Sequence, residues 1–164
     1  MIQKKICMVG VFATGKTSLV QQYVFSMFSE KYHSTVGVKI DRRRVEIEDK
    51  TVNLVLWDLA GRDGFEDVQT SYLRGSAGVL LVVDGTRRET FEQAFDLHEI
   101  CTGAIGDVPF VVALNKCDLT DDWQLNEGDY ERLTERGWKH FVTSAKTGDG
   151  VEDAFLWLAG QTLS

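Results

Sequence analysis

The stretch "GVFATGKT", Gly10–Thr17, constrains this chain more than any other. It fits the pattern G-x-x-x-x-G-K-[ST] in full. It lies between a short β-like run, "KKICMVG", and a segment with helical apolar rhythm, "KTSLVQQYVFSMF". Glycines let the backbone wrap closely, so that successive N–H groups converge on an anion. Lys16 then supplies a point charge to β- and γ-phosphates, and the Thr17 hydroxyl is a hard ligand for Mg²⁺. The following helix adds the positive end of its dipole. A glycine turn that merely caps a helix is the plainer alternative. The strand before and the helix after favour the phosphate loop.

The rest of the chain repeats the alternation. "TVGVKIDRRRVEIEDKTVNLVLWD" reads as two strands folded about the polar turn Glu48–Lys50. "AGVLLVVDGT" and "VPFVVALNK" are continuous β-rich runs, the signature of central parallel strands covered on both faces. Helical patterns follow over Thr90–Thr102 and Asn126–Arg136. "HFVTSA" is a last short strand, and "GVEDAFLWLAGQ" a closing helix with Val151, Ala154, Phe155 and Leu158 on one face. The helix after the phosphate loop should carry Leu19, Val20, Tyr23, Val24 and Met27 on its apolar face. The expected fold is α/β, an open six-stranded sheet, mostly parallel with one antiparallel edge strand, and helices on both faces. Residues 1–164 read as one domain. The single proline, Pro109, opens a strand, where a missing N–H does little harm.

Two further motifs sit at the ends of β-runs, where open α/β sheets bind ligands. In "NKCD", the Asp118 carboxylate can accept both N–H donors of a guanine edge, while Asn115 and the Lys116 stem flank it. Adenine would leave that carboxylate badly paired. In "TSAKTG", Ser144, Ala145 and Lys146 place a backbone N–H near the guanine oxygen. Each tetrapeptide alone is an ordinary polar turn. Together, after a complete phosphate loop, they specify a guanine nucleotide.

Composition removes other classes. The net charge of −7, from 18 basic and 25 acidic residues, argues against nucleic-acid binding. Cys7, Cys101 and Cys117 have no metal spacing and read as reduced thiols, as expected in the cytoplasm. The three histidines are scattered and suggest no zinc site. No run approaches the length of a membrane span, and neither end carries a lipidation signal. Either the protein works without an anchor or a lipidated tail is missing from this sequence. A monomer is expected.

In order and spacing, GVFATGKT, "STVGV", "DLAG", NKCD and TSAK resemble a small GTPase of the Ras superfamily over essentially the whole chain. "STVGVKI", "LVLWDLAG" and "SYLRGSAGVLLVVDGT" are most similar to the Rab branch. The resemblance implies a P-loop NTPase fold and a switch driven by GTP and GDP with Mg²⁺. It implies that Phe12, Ala13, Thr14, Gly15, Lys16, Thr17 and Ser18 wrap the phosphates. Phe28 would pack on the guanine and Tyr32 would cover the phosphates. Thr17, Thr35 and Asp58 would serve the metal, Asp58 through a water. Thr35 and Gly61 would close on the γ-phosphate. Lys16, Thr35, Gly61 and Arg62 are the candidate catalytic residues. Ile40, Trp57 and Tyr72 match an aromatic triad that meets effectors, activators and exchange factors. They could equally form a satellite core beneath the hairpin.

Two positions depart from the family pattern. Relatives place glutamine where this chain has Arg62, and glutamine can accept a hydrogen bond from the attacking water. Arginine has donors only. It could instead bring charge to the γ-phosphate, point into solvent, or pair with Asp63 or Glu66. Some Roc-type domains carry "AGR" at the same place, so a working switch is compatible with it. Phe12 stands where relatives have glycine or small residues. Its ring would obstruct an activator's arginine finger, or shield the nucleotide. The expected activity is therefore slow GTP hydrolysis. The alternatives are a nucleotide-binding pseudo-GTPase and an ATP-using P-loop enzyme. In "DRRRV", Arg42 and Arg44 share one face of an outer strand and Arg43 the other. They either protect a sheet edge or dock an acidic partner. Trp123, Trp138 and Trp157 could be core or rim.

Overall fold

A computed structural model describes residues 2–29, 38–59 and 70–163. Six strands form one sheet: β1 (Ile2–Val9), β2 (Val38–Ile47), β3 (Lys50–Leu59), β4 (Gly78–Asp84), β5 (Phe110–Asn115) and β6 (His140–Val142). Their spatial order is β2-β3-β1-β4-β5-β6. Among the described strands only β2 and β3 run antiparallel; every other neighbouring pair is parallel. Among the described residues the α-helices are α1 (Lys16–Phe25), α2 (Arg88–Ile105), α3 (Glu127–Glu135) and α4 (Val151–Gln161). The expected sheet and its antiparallel edge are both present.

Strand periodicity explains the two layers of core. Ile6, Met8, Leu54, Leu56, Leu80 and Val82 face α1 and α4, where Leu19, Val20, Tyr23, Ala154, Phe155 and Leu158 meet them. Tyr23 stacks on Phe155 with ring centroids 4.0 Å apart. The alternate residues Cys7, Val9, Val79, Leu81 and Val83 face Phe91, Ala94 and Leu97 of α2 and Leu133 of α3. All seven residues of β4 are buried, as a central strand covered on both faces requires. At the edge, Arg42 and Arg44 are exposed. Arg43 turns the other way, donating to the Tyr23 carbonyl at 2.8 Å and to Glu152 at 2.6 Å. It thereby ties β2 to α1 and α4.

Several boundaries differ from the sequence expectation. The β2–β3 turn is Glu48-Asp49, both at positive φ (46° and 66°), and Lys50 already belongs to β3. Paired left-handed residues match the twist of a hairpin. Helix α1 stops at Phe25, because Ser26 adopts φ 53° and its N–H closes on the Gln22 carbonyl. Met27 therefore leaves the helical face and is 60% exposed. Helix α2 is longer than its periodic stretch at both ends. Helix α3 starts after Asn126, whose side chain accepts from the Asp129 N–H while the Asp129 carboxylate accepts from the Asn126 N–H. Arg88 grips the same carboxylate with both Nη atoms, joining the starts of α2 and α3. Short 3-10 turns at Thr70–Leu73 and Thr120–Asp122 were not anticipated.

Trp123 is half-buried, and its ring lies against Gly85 just beyond β4. A Cβ on Gly85 would come within 1.9 Å of that ring. The next residue, Gln124, donates its N–H to the Gly85 carbonyl at 2.8 Å. Glycine at 85 is thus what lets the 120–125 segment dock. Gly85→Ala should cost about 1–3 kcal/mol in urea unfolding. In a Trp123→Ala background the same change should cost less than about 0.5 kcal/mol, because nothing remains to collide with.

Candidate functional site

All the parallel strands end on one edge of the sheet, and three of the described loops that leave it carry expected motifs, with Asp58 at the end of β3 beside them. The loop after β1 wraps from Gly10 to Lys16. Ala13 has φ 61° and Gly15 has φ 101°, so the backbone curls into a concave run of amides. There is no room for larger residues at either glycine. A Cβ at Gly10 would meet the Val82 carbonyl at 2.6 Å, and one at Gly15 would meet Asn115 Nδ2 at 2.3 Å. Thr14 is fully buried and donates its hydroxyl to the Val11 carbonyl at 3.0 Å. Ser18 follows on α1. Phe12 projects outward and is 38% exposed.

Lys16 is buried, and its ammonium donates to the Gly10 and Val11 carbonyls at 2.9 and 3.1 Å. Burial pushes its pKa down to about 8, the Asp58 charge pulls the other way, and the Arg87 charge lowers it further. A cation held at such cost is poised to meet an anion. Thr17 Oγ1 donates to Asp58 Oδ2 at 2.5 Å, across 41 residues of sequence. This brings a hydroxyl and a buried carboxylate side by side at the mouth of the loop. Two hard oxygen donors in that position suit Mg²⁺. Among the described residues, no group of three or more His, Cys, Asp or Glu forms a separate metal cluster.

The NKCD and TSAK loops come together beside this cradle. Asn115 is buried, donates from Nδ2 to the Thr14 carbonyl at 3.1 Å, and accepts at Oδ1 from Thr143 Oγ1 at 3.1 Å. Lys116 takes φ 73° and donates to the Ala13 carbonyl at 3.0 Å. Ser144 Oγ donates to Asp118 Oδ1 at 2.7 Å, fixing that carboxylate. Ala145 is buried and Lys146 exposed beside it. Phe28 lies past the end of α1 with its ring partly exposed. Tyr32, Thr35, Gly61 and Arg62 lie outside the described residues.

Ile40 sits opposite Trp57 in the β2–β3 register, and the Trp57 and Tyr72 rings lie 6.2 Å apart. Ile40 is exposed and the two aromatics are half-buried. Lys5 places its ammonium 3.6 Å above the Trp57 ring.

Asp84 was not among the expected site residues, although it ends the apolar run "VLLVVD" just as Asp58 ends "LVLW". Its carboxylate is buried and accepts from Lys116 at 2.8 Å, Arg87 Nε at 3.0 Å and the Thr86 hydroxyl at 2.6 Å. Burial alone would raise its pKa, but the Lys116 ammonium and the Thr86 donors outweigh that and hold it below the ordinary 3.8. A carboxyl whose folded pKa is depressed contributes stability above its unfolded pKa and loses it as pH falls through the folded one. Asp84→Asn should therefore destabilise the protein near pH 7. The gap from the wild type should narrow in denaturant titrations carried from about pH 7 to about pH 3.

The Ras family model matches residues 5–164. Among curated relatives, the chain is 37% identical over 154 residues to Ras-related protein Rab-4 of Dictyostelium discoideum, covering 93% of this chain and 75% of that protein. It is 34% identical over 157 residues to human Ras-related protein Rab-8B, covering 94% and 76%. With Ras-related protein Rab-4B of Rattus norvegicus it shares 36% identity over 162 residues, covering 98% and 76%. Relatives similar along nearly all of this chain, together with a family match over nearly its full length, place it among the Rab-like small GTPases: the chain belongs to the Ras family of GTP-binding molecular switches.

Proposed function

We propose that residues 12–18 hold the phosphates of GTP or GDP, and that Asn115, Lys116, Asp118, Ser144, Ala145, Lys146 and Phe28 hold the guanine. The observation that carries this reading is the Asn115 side chain, which hydrogen-bonds Thr14 in one loop and Thr143 in another. It makes one site of three motifs: Asn115 reaches a partner 101 residues away in the first loop and another 28 residues away in the last. Asp118, with one oxygen fixed by Ser144, keeps capacity to accept from a base edge. Thr17 and Asp58 fit the metal, with Thr35 supplied by a segment outside the described residues. When bound, Mg²⁺ neutralises charge between the β- and γ-phosphates.

On this reading the GTP-bound and GDP-bound forms differ in how Thr35 and Gly61 engage the γ-phosphate. Tyr32 and the Ile40–Trp57–Tyr72 surface then report that difference to effector, activator and exchange proteins. Hydrolysis is slow. Arg62 has no acceptor with which to orient water, and the exposed Phe12 ring stands at the entrance an activator's arginine would use.

Single-turnover hydrolysis of preloaded GTP tests this. The wild-type rate should be low, and Arg62→Gln should raise it by about a hundredfold. A wild-type rate already matching a stimulated relative would contradict the slow-switch reading. No turnover in either form would make the protein a binding module. Phe12→Gly should matter chiefly when an activating protein is present. Asp118→Ala should weaken GDP binding by about a hundredfold or more in fluorescence titration, while leaving the much weaker ADP binding unchanged.

A further inference from the structure

Two cations grip successive carbonyls of the phosphate loop from outside, and one carboxylate holds both. Lys116 donates to the Ala13 carbonyl at 3.0 Å, and Arg87 Nη2 donates to the Phe12 carbonyl at 2.6 Å. Both cations also donate to Asp84 Oδ2, at 2.8 Å from Lys116 and 3.0 Å from Arg87 Nε. The other oxygen, Oδ1, is taken by the Thr86 N–H and hydroxyl at 2.9 and 2.6 Å. Asp84 is itself buried, so its orientation is fixed by these donors rather than by solvent. Arg87 is further pinned by its backbone N–H, which donates to the Asp84 carbonyl at 2.9 Å.

The consequence follows from peptide geometry. In a trans peptide the C=O and N–H of one unit point in opposite directions, and the described chain has no cis bond. Drawing the Phe12 carbonyl outward turns the Ala13 N–H inward. Drawing the Ala13 carbonyl outward does the same for the Thr14 N–H. The left-handed φ of Ala13 lies between these two units and is a conformation that a non-glycine residue holds only under constraint. The Arg87 and Lys116 hydrogen bonds provide that constraint.

We propose that Arg87 is a positioning residue of the nucleotide site: through the Phe12 carbonyl it aims the Ala13 N–H at the bound phosphates and so slows nucleotide release. The proposal rests on the guanine-nucleotide reading above. On this proposal Arg87 acts through the backbone of the loop, and Asp84 couples it to Lys116 on the base side. The loop is thereby held at adjacent peptides by groups from the ends of β4 and β5.

The test uses the full chain loaded with a fluorescent GDP analogue and Mg²⁺, chased with excess GDP. Arg87→Ala should release the analogue about tenfold faster, the value of a lost charge-assisted hydrogen bond. In the same protein the Ala13 amide resonance in the ¹⁵N–¹H spectrum should shift, whereas the amides of α4 stay in place. Arg88→Ala is the control. It breaks the neighbouring pair to Asp129 and destabilises the fold, but it should leave both release and the Ala13 resonance unchanged. Arg87→Ala release within about twofold of wild type, or an unmoved Ala13 resonance, overturns the proposal. So does an equal acceleration by Arg88→Ala, since general loosening would then explain the effect. A wild-type chain that takes up no GDP overturns the underlying reading instead.

Discussion

The buried side chain of Asn115 is the interaction on which the arrangement depends. One amide group satisfies the Thr14 carbonyl on one side and the Thr143 hydroxyl on the other. A buried amide with a missing partner would cost about 1–3 kcal/mol, so both loops must be in place together. It also explains a glycine: the approach of Nδ2 to the first loop leaves no space for a Cβ at position 15. Asn115 pairs in register with Asp84 across β5 and β4. The two polar residues that organise the site thus leave the sheet side by side, one facing the loop's backbone and the other collecting its cations.

Charge is distributed to the same end. The chain as a whole carries −7, yet Lys16, Lys116 and Arg87 surround one loop. Two buried carboxylates, Asp58 and Asp84, lie among them and offset their charge. Lys16 bears a desolvation penalty, since burial has lowered its pKa to about 8. A polyphosphate would relieve that penalty and exchange the ammonium's backbone carbonyl partners for charged oxygens.

Much of this was legible in the sequence, for identifiable reasons. The parallel strands announce themselves as unbroken β-rich runs because both of their faces are covered. The Gly10–Thr17 spacing is dictated by the path of a backbone around phosphate. The end of α1 was not legible: the apolar rhythm continues to Met27, but the left-handed Ser26 ends the helix first. The 3-10 turns leave too short a trace to show a period. Trp123 could not be placed because its space depends on Gly85, far away in sequence. Asp84 did carry a signal, a charge closing an apolar strand. Arg87 carried none, since it reads as an ordinary polar residue before a helix.

The central claim is that three loops tied by Asn115 form a guanine-nucleotide site. The most direct measurement is the identity of the nucleotide that leaves the purified, denatured protein, separated by ion exchange and quantified against the chain. The account predicts GDP or GTP in equimolar amount, with adenine nucleotides absent. An adenine nucleotide at that stoichiometry, or a protein that cannot be loaded with guanine nucleotide in the presence of Mg²⁺, would contradict it.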